Sequence, residues 1–140
     1  MNIALIGAAC VLGLGAIGSA VGAYIAGMAA IGSWKRSYLN NRPASFLLVA
    51  FAGAPLTQTI YSFILMTKIL NSGKDPTLLM WAGILAGLAE GISATAQGAV
   101  AAAGCEAYGE TGKGFANYII VVGLVETVAL FVLAFTFSAV

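Results

Sequence analysis

The run from Phe115 to Phe137 is almost wholly apolar and carries a single acidic or basic residue, Glu126, near its middle. At about 1.5 Å per residue, a helix of this length crosses the roughly 30 Å hydrocarbon layer of a bilayer and leaves Glu126 near half depth. A lone carboxylate there costs at least about 3 kcal/mol on insertion scales, so it has to be protonated, paired or neutralised by a bound cation. Glu126 is therefore the first candidate functional residue.

The rest of the chain extends the same reading. Hydrophobic residues make up 61% and charged residues 8%, whereas a soluble domain of this size needs about a quarter charged residues for its surface. Lipid is the expected solvent. A net charge of +1 gives no electrostatic case for nucleic acid as a partner. His, the commonest metal ligand and general base, is absent. Cys10 and Cys105 lack zinc-type or CxxC spacing and are expected to be small packing residues. The sequence contains no GxxxxGK[ST] phosphate loop, so nucleotide chemistry has to come from elsewhere.

Hydropathy predicts an all-α membrane protein with four transmembrane helices over about residues 2–32, 45–70, 78–104 and 115–139. No Lys or Arg precedes the first run, so the charged n-region of a cleaved signal is missing. Polar loops are expected over 33–44 and 105–114, with a turn around Asn71–Thr77 in which Pro76 suits the start of a helix. Lys35, Arg36, Arg42 and Lys113 lie in the first and third loops, against Lys68 and Lys74 near the second. The positive-inside rule then places loops 33–44 and 105–114 in the cytoplasm and both termini on the opposite side.

An internal repeat divides the chain into two tandem helical hairpins, 1–70 and 71–140. Leu56–Leu65 aligns without gaps with Leu124–Leu133, so that Gln58 occupies the place of Glu126. In the other pair of spans Gly15, Ser19, Ala23, Gly27 and Gly32 align with Gly87, Gly91, Thr95, Ala99 and Gly104. Small residues at every fourth place, as in Gly15-Ser19-Ala23-Gly27 and Gly83-Gly87-Gly91, let helix backbones approach closely. Such stripes either join the hairpins within one chain or form a crowded inner wall shared by many copies, and their length on both odd-numbered spans suits the second use.

Polar side chains gather at mid-membrane depth: Thr57, Gln58, Thr59, Tyr61, Gln97, Glu126 and Thr127. Gln97 lies about 120° round its helix from Gly91 and so faces away from the small-residue stripe. Pro55 cannot donate to the carbonyl of Phe51, which loosens the backbone just before Thr57. Thr59 and Thr127 are expected to bond to helix backbones, as most intramembrane Thr residues do, and Tyr61 to act as a lid or as a hydrogen-bond partner to the carboxylate rather than as a direct ligand. A hard monovalent cation such as sodium asks for several oxygens, one of them charged, by the logic that governs calcium and magnesium. A proton asks for less, because a low dielectric already favours a neutral acid. The surplus of oxygen donors argues for sodium.

These residues resemble the duplicated proteolipid, or subunit K, of rotary V-type ATPases and their bacterial and archaeal relatives. The resemblance runs over the whole chain, through the doubled hairpin, the Gly-rich odd helices, Ala54-Pro55-Leu56-Thr57-Gln58-Thr59-Ile60-Tyr61, Ser93-Ala94-Thr95-Ala96-Gln97-Gly98 and Leu124-Val125-Glu126-Thr127. It implies a homo-oligomeric ring that carries ions by reversible binding at Glu126. The sodium-transporting members further imply the backbone carbonyl of Ala54 and the oxygens of Thr57, Gln58, Gln97 and Glu126 as ligands, with Tyr61 bonded to Glu126. Implied partners are copies of the chain, a stator membrane subunit with an essential Arg, and central-stalk subunits on the cytoplasmic side. The implied location is a prokaryotic plasma membrane.

Glu90, seven residues before Gln97 and about 10 Å away along the same face, departs from this pattern. It is expected to be protonated and bonded to a backbone, to sit in a solvated ring lumen, or to belong to an added site. Three alternatives to a sodium rotor stand beside it. They are a proton-carrying ring, a small four-helix transporter with Glu126 as counter-ion, and a purely structural four-span protein.

Overall fold

The order of apolar and polar stretches sets the order of helices. A computed structural model describes residues 2–140 and contains α1 (Ala4–Leu39), α2 (Leu48–Gly53), a 3-10 turn (Ala54–Leu56), α3 (Thr57–Leu70), α4 (Pro76–Thr111) and α5 (Phe115–Ala139). No strand occurs among the described residues. Four segments are long and apolar enough to cross a membrane, with α2, the 3-10 turn and α3 counting together as one of 23 residues.

Two helices outrun their apolar stretches. Hydropathy ends the first span near residue 32 and the third near 104, with loops beyond them. Instead α1 continues to Leu39 and α4 to Thr111. At 36 residues each, they are about 54 Å long, well beyond the hydrocarbon thickness, so their C-terminal turns project into the polar zone. What stops them is backbone geometry. Asn41 adopts φ 52° just after α1, and Gly112 caps α4 at φ 66° with its N–H donating to the Tyr108 carbonyl at 2.7 Å. At the other end of α4, Asp75 Oδ1 accepts from the N–H groups of Thr77 and Leu78, with Pro76 at the first helical position.

The second of the four spans is not one regular helix. Pro55 carries no N–H, and the chain tightens into a 3-10 turn in which the Thr57 N–H reaches the Ala54 carbonyl.

α1 and α4 run parallel in a close seam built on backbone contact. A Cβ on Gly7 would strike the backbone at Leu79 and Met80, one on Gly18 that of Gly91, and one on Gly98 that of Gly22. The seam uses the Gly83-Gly87-Gly91 stripe of α4 but, on α1, Gly7, Gly18 and Gly22 rather than the glycines of the expected stripe. Gly15 turns to Ser62 of α3, and Gly27 meets nothing within 4 Å. Within one chain, then, the glycines join the two hairpins. Gly104 does not end a helix; it makes room for the Phe51 ring, whose Cε1 would lie 2.7 Å from an added Cβ. α5 packs on α4 and α3 and buries only Val122 and Ala129.

Two apolar clusters fill the interior, one around Ala8, Val11, Leu65 and Leu79, the other around Ala26, Leu48, Phe51 and Ala101. Between them lies a buried polar middle of Ser19, Gln58, Ser62, Glu90, Ser93 and Gln97. Cys105 belongs to the second cluster, and both cysteines are free thiols.

Candidate ion-binding site

The polar middle is organised around Gln97. Its position on α4 faces the gap between α3 and α5, and the side chain spans that gap. Gln97 Oε1 accepts from Gln58 Nε2 at 2.8 Å, while Gln97 Nε2 donates to Glu126 Oε2 at 3.1 Å and to the Val122 carbonyl at 3.2 Å. Gln58 and Glu126, equivalent residues of the internal repeat, therefore grip opposite ends of one amide. The same alignment puts Ile25 of α1 where α4 has Gln97, so the first hairpin has no amide of its own to complete a second copy of this arrangement.

Glu126 has a second donor. Tyr61 hydroxyl donates to Oε1 at 2.7 Å, so each carboxylate oxygen holds one hydrogen bond from a different helix. Bonds of this kind to a charged oxygen are about twice as strong as neutral ones. Gln58 and Gln97 are fully buried, while Glu126, Tyr61 and Thr57 are half-buried. Thr57 Oγ1 lies 3.1 Å from the Ala54 carbonyl oxygen and 3.2 Å from Gln58 Oε1, and its one hydrogen serves one acceptor at a time.

The structure thus brings Ala54, Thr57, Gln58, Tyr61, Gln97 and Glu126 into one hydrogen-bonded chain running from the 3-10 turn to α5. The Ala54 carbonyl, adjacent to Pro55, accepts from the Thr57 N–H and lies within reach of the Thr57 hydroxyl, which can instead turn to Gln58 Oε1. Thr127 stays outside, bonded to the Leu124 carbonyl of its own helix at 2.7 Å. Ser93 adds a contact that hydropathy does not single out, its hydroxyl 3.4 Å from the Val125 carbonyl. Glu90 takes no part. It is wholly buried, and neither of its oxygens has a hydrogen-bond partner among the described residues, so the backbone-bonded and lumen-facing arrangements are not what forms.

Chemically, the site offers one carboxylate ringed by neutral oxygens and amides. Among the described residues no three His, Cys, Asp or Glu side chains come together, so a guest here meets a single negative charge. That suits a monovalent cation or a proton better than a divalent metal, which draws on several carboxylates.

Residues 80–138 match the model of the ATP synthase C-subunit family. An A-type ATP synthase subunit K from Methanocaldococcus jannaschii is 33% identical over 129 residues, which cover 90% of this chain and 56% of the relative. The chain spans about half the length of the curated relative it matches. The helices that position Gln97 and Glu126 are thus those that match the ATP synthase C-subunit family, and the chain around them is an integral, multi-pass membrane protein.

Proposed function

We propose that this chain is a rotor-ring subunit of a rotary ATPase and that it carries sodium across the membrane by reversible binding at Glu126. One observation carries the reading: the Glu126 carboxylate, at mid-membrane depth, is held by Tyr61 and Gln97 from two other helices, with further oxygens of Gln58, Thr57 and Ala54 in line behind it. The likeness to the ATP synthase C-subunit family and to an A-type subunit K supports the rotor role.

In this reading an incoming sodium ion takes the place of the Gln97 N–H donor at Glu126; the Gln97 amide turns to present its oxygen to the ion, and the Gln58 amide turns with it to keep their mutual hydrogen bond. The loaded site is neutral and crosses the lipid face as the ring rotates, whereas the empty carboxylate is barred from lipid by its charge. A stator Arg displaces the ion on the far side, and central-stalk subunits couple rotation to ATP in other chains. The chain alone is no enzyme. The C-terminal end of α1 with Lys35 and Arg36, and the loops bearing Arg42 and Lys113, face the cytoplasm of a prokaryote, and both termini lie opposite.

Carbodiimide modification of Glu126 tests the ion. Millimolar sodium at fixed pH is expected to shield the carboxyl in purified rings. Modification indifferent to sodium would leave the rotor role and make the ring a proton carrier. A protein that migrates as a monomer or dimer on native gels would end the rotor reading in favour of a small transporter.

A further inference from the structure

Glu90 is an interior carboxyl that the Glu126 site does not use. It is 0% exposed, and both of its oxygens are unpartnered among the described residues. Seven residues before Gln97, it shares that face of α4 to within about 20° and lies about 10 Å farther along the axis. It therefore faces the bundle interior on the Gln97 side, with Gly83, seven residues farther back on the same face, packed on Gly7 of α1. Contacts with α1 fix its depth. The neighbouring Gly91 backs onto Leu14 and Gly18, while Gly15 backs onto Ser62 of α3. Ser62 and Glu90 accordingly occupy one layer, and the Ser62 hydroxyl is likewise fully buried and unpartnered.

No cation answers the carboxyl. On α4 there is no other acidic or basic residue between Asp75 and Glu106. α3 presents Tyr61, bonded to Glu126, and Lys68, whose ammonium lies over the Phe137 ring at 5.0 Å. α5 contributes only Glu126 in this half. α1 offers Cys10 and, farther along, Tyr24, which is 67% exposed. The one ion pair among the described residues, Arg36 with Glu110, is at the far end of α1 and α4. An ionised Glu90 would be a buried charge with neither counter-charge nor donor, a burden of several kcal/mol. A sodium ion would want several oxygens, more than one of them commonly charged or carbonyl, but the unpartnered oxygens at this level are the Glu90 carboxyl and the neutral hydroxyls of Ser62 and Ser19, bordered by the apolar cluster that contains Leu65 and Ala86. A proton needs a single oxygen.

We propose that Glu90 is a second guest-binding carboxyl whose guest is a proton, held as a neutral acid in the layer of the Ser62 hydroxyl whatever ion Glu126 carries. The step is addition of a solvent proton to one carboxylate oxygen, forming one O–H bond and nothing else. Each chain then holds two intramembrane acids, one exchanging with the transported ion and one silent. Glu126 in consequence meets its guest without a second negative charge nearby.

Infrared spectra of Glu126→Gln protein in lipid at neutral pH test this independently of the ion that Glu126 carries. With that acid gone, the remaining acids other than Glu90 (Asp75, Glu106 and Glu110) are exposed at helix ends. One carbonyl stretch of a protonated carboxylic acid is expected, shifted in heavy water and lost when Glu90→Gln is added. Glu90→Asp in the same background keeps an acid in the layer and is expected to move the band rather than abolish it, which serves where the double Gln variant fails to fold. The absence of any such band in Glu126→Gln protein, or a band indifferent to both changes at Glu90, overturns the proposal.

Discussion

Tyr61 shows how much of the site rests on single atoms. Its hydroxyl supplies Glu126 with a donor from α3 that no other residue replaces. Hydrogen bonds to charged groups contribute about 1.5–3 kcal/mol net, and about 1.4 kcal/mol is tenfold in an equilibrium constant. On the proposed sodium reading, Tyr61→Phe withdraws that stabilisation from the ionised carboxylate but leaves the aromatic ring's packing in place. The sodium concentration that half-protects Glu126 from carbodiimide should therefore rise at least about tenfold. Gln97→Leu acts on a different quantity. It leaves the Gln58 amide buried without its acceptor, a loss of about 1–3 kcal/mol, so thermal unfolding in detergent should come at a lower temperature and sodium protection should disappear. Thr127→Val, at a side chain bonded only to its own helix, should change neither measurement by more than about 0.5 kcal/mol.

At the scale of helices, the sequence was legible where burial is costly and ambiguous where it is not. Polar groups in oil need partners, so Gln58, Tyr61, Gln97 and Glu126 could be picked out from position alone, and all four meet in one network. Hydropathy, by contrast, marks where the hydrocarbon ends and not where a helix does, which is why α1 and α4 run past Gly32 and Gly104 to stops set by Asn41 and Gly112. Within one chain the α1 stripe does not line up along α4, for a geometric reason. Four residues turn a helix by about 400°, so a step of four drifts about 40°, and Gly27 lies about 120° round from Gly15. The working seam instead combines Gly7, Gly18 and Gly22, whose backbones touch α4. A methyl group on Gly98 would run into the Gly22 backbone, which no rotamer change relieves. Gly98→Ala should thus destabilise the protein in detergent by about 1–3 kcal/mol, in the range for overpacking, whereas Gly123→Ala, with open space around it, should stay within about 0.5 kcal/mol of the parent.

For the whole molecule, the telling asymmetry is between the helix that carries Glu126 and the rest. α5 is the least covered of the spanning helices, with Ile120, Leu124, Val128 and Phe131 all more than half exposed on the single chain. Glu126 itself is half-buried at the edge of that apolar surface. A carboxylate so placed cannot be left charged toward lipid, and under the proposed function, on which the outcomes expected of a variant here rest, its charge is cancelled and restored in each cycle of a rotating ring. Gln at this position separates the two demands. It keeps the size of the side chain and an oxygen for the Tyr61 hydroxyl, and the Gln97 amide can turn to pair with it, so helix packing and ring assembly should survive. It can neither ionise nor release a cation. Glu126→Gln protein should therefore migrate with the parent ring on a native gel, while sodium uptake into vesicles and the ATP hydrolysis coupled to it fall to background. Uptake that persists in such a ring would show that transport does not pass through this carboxylate.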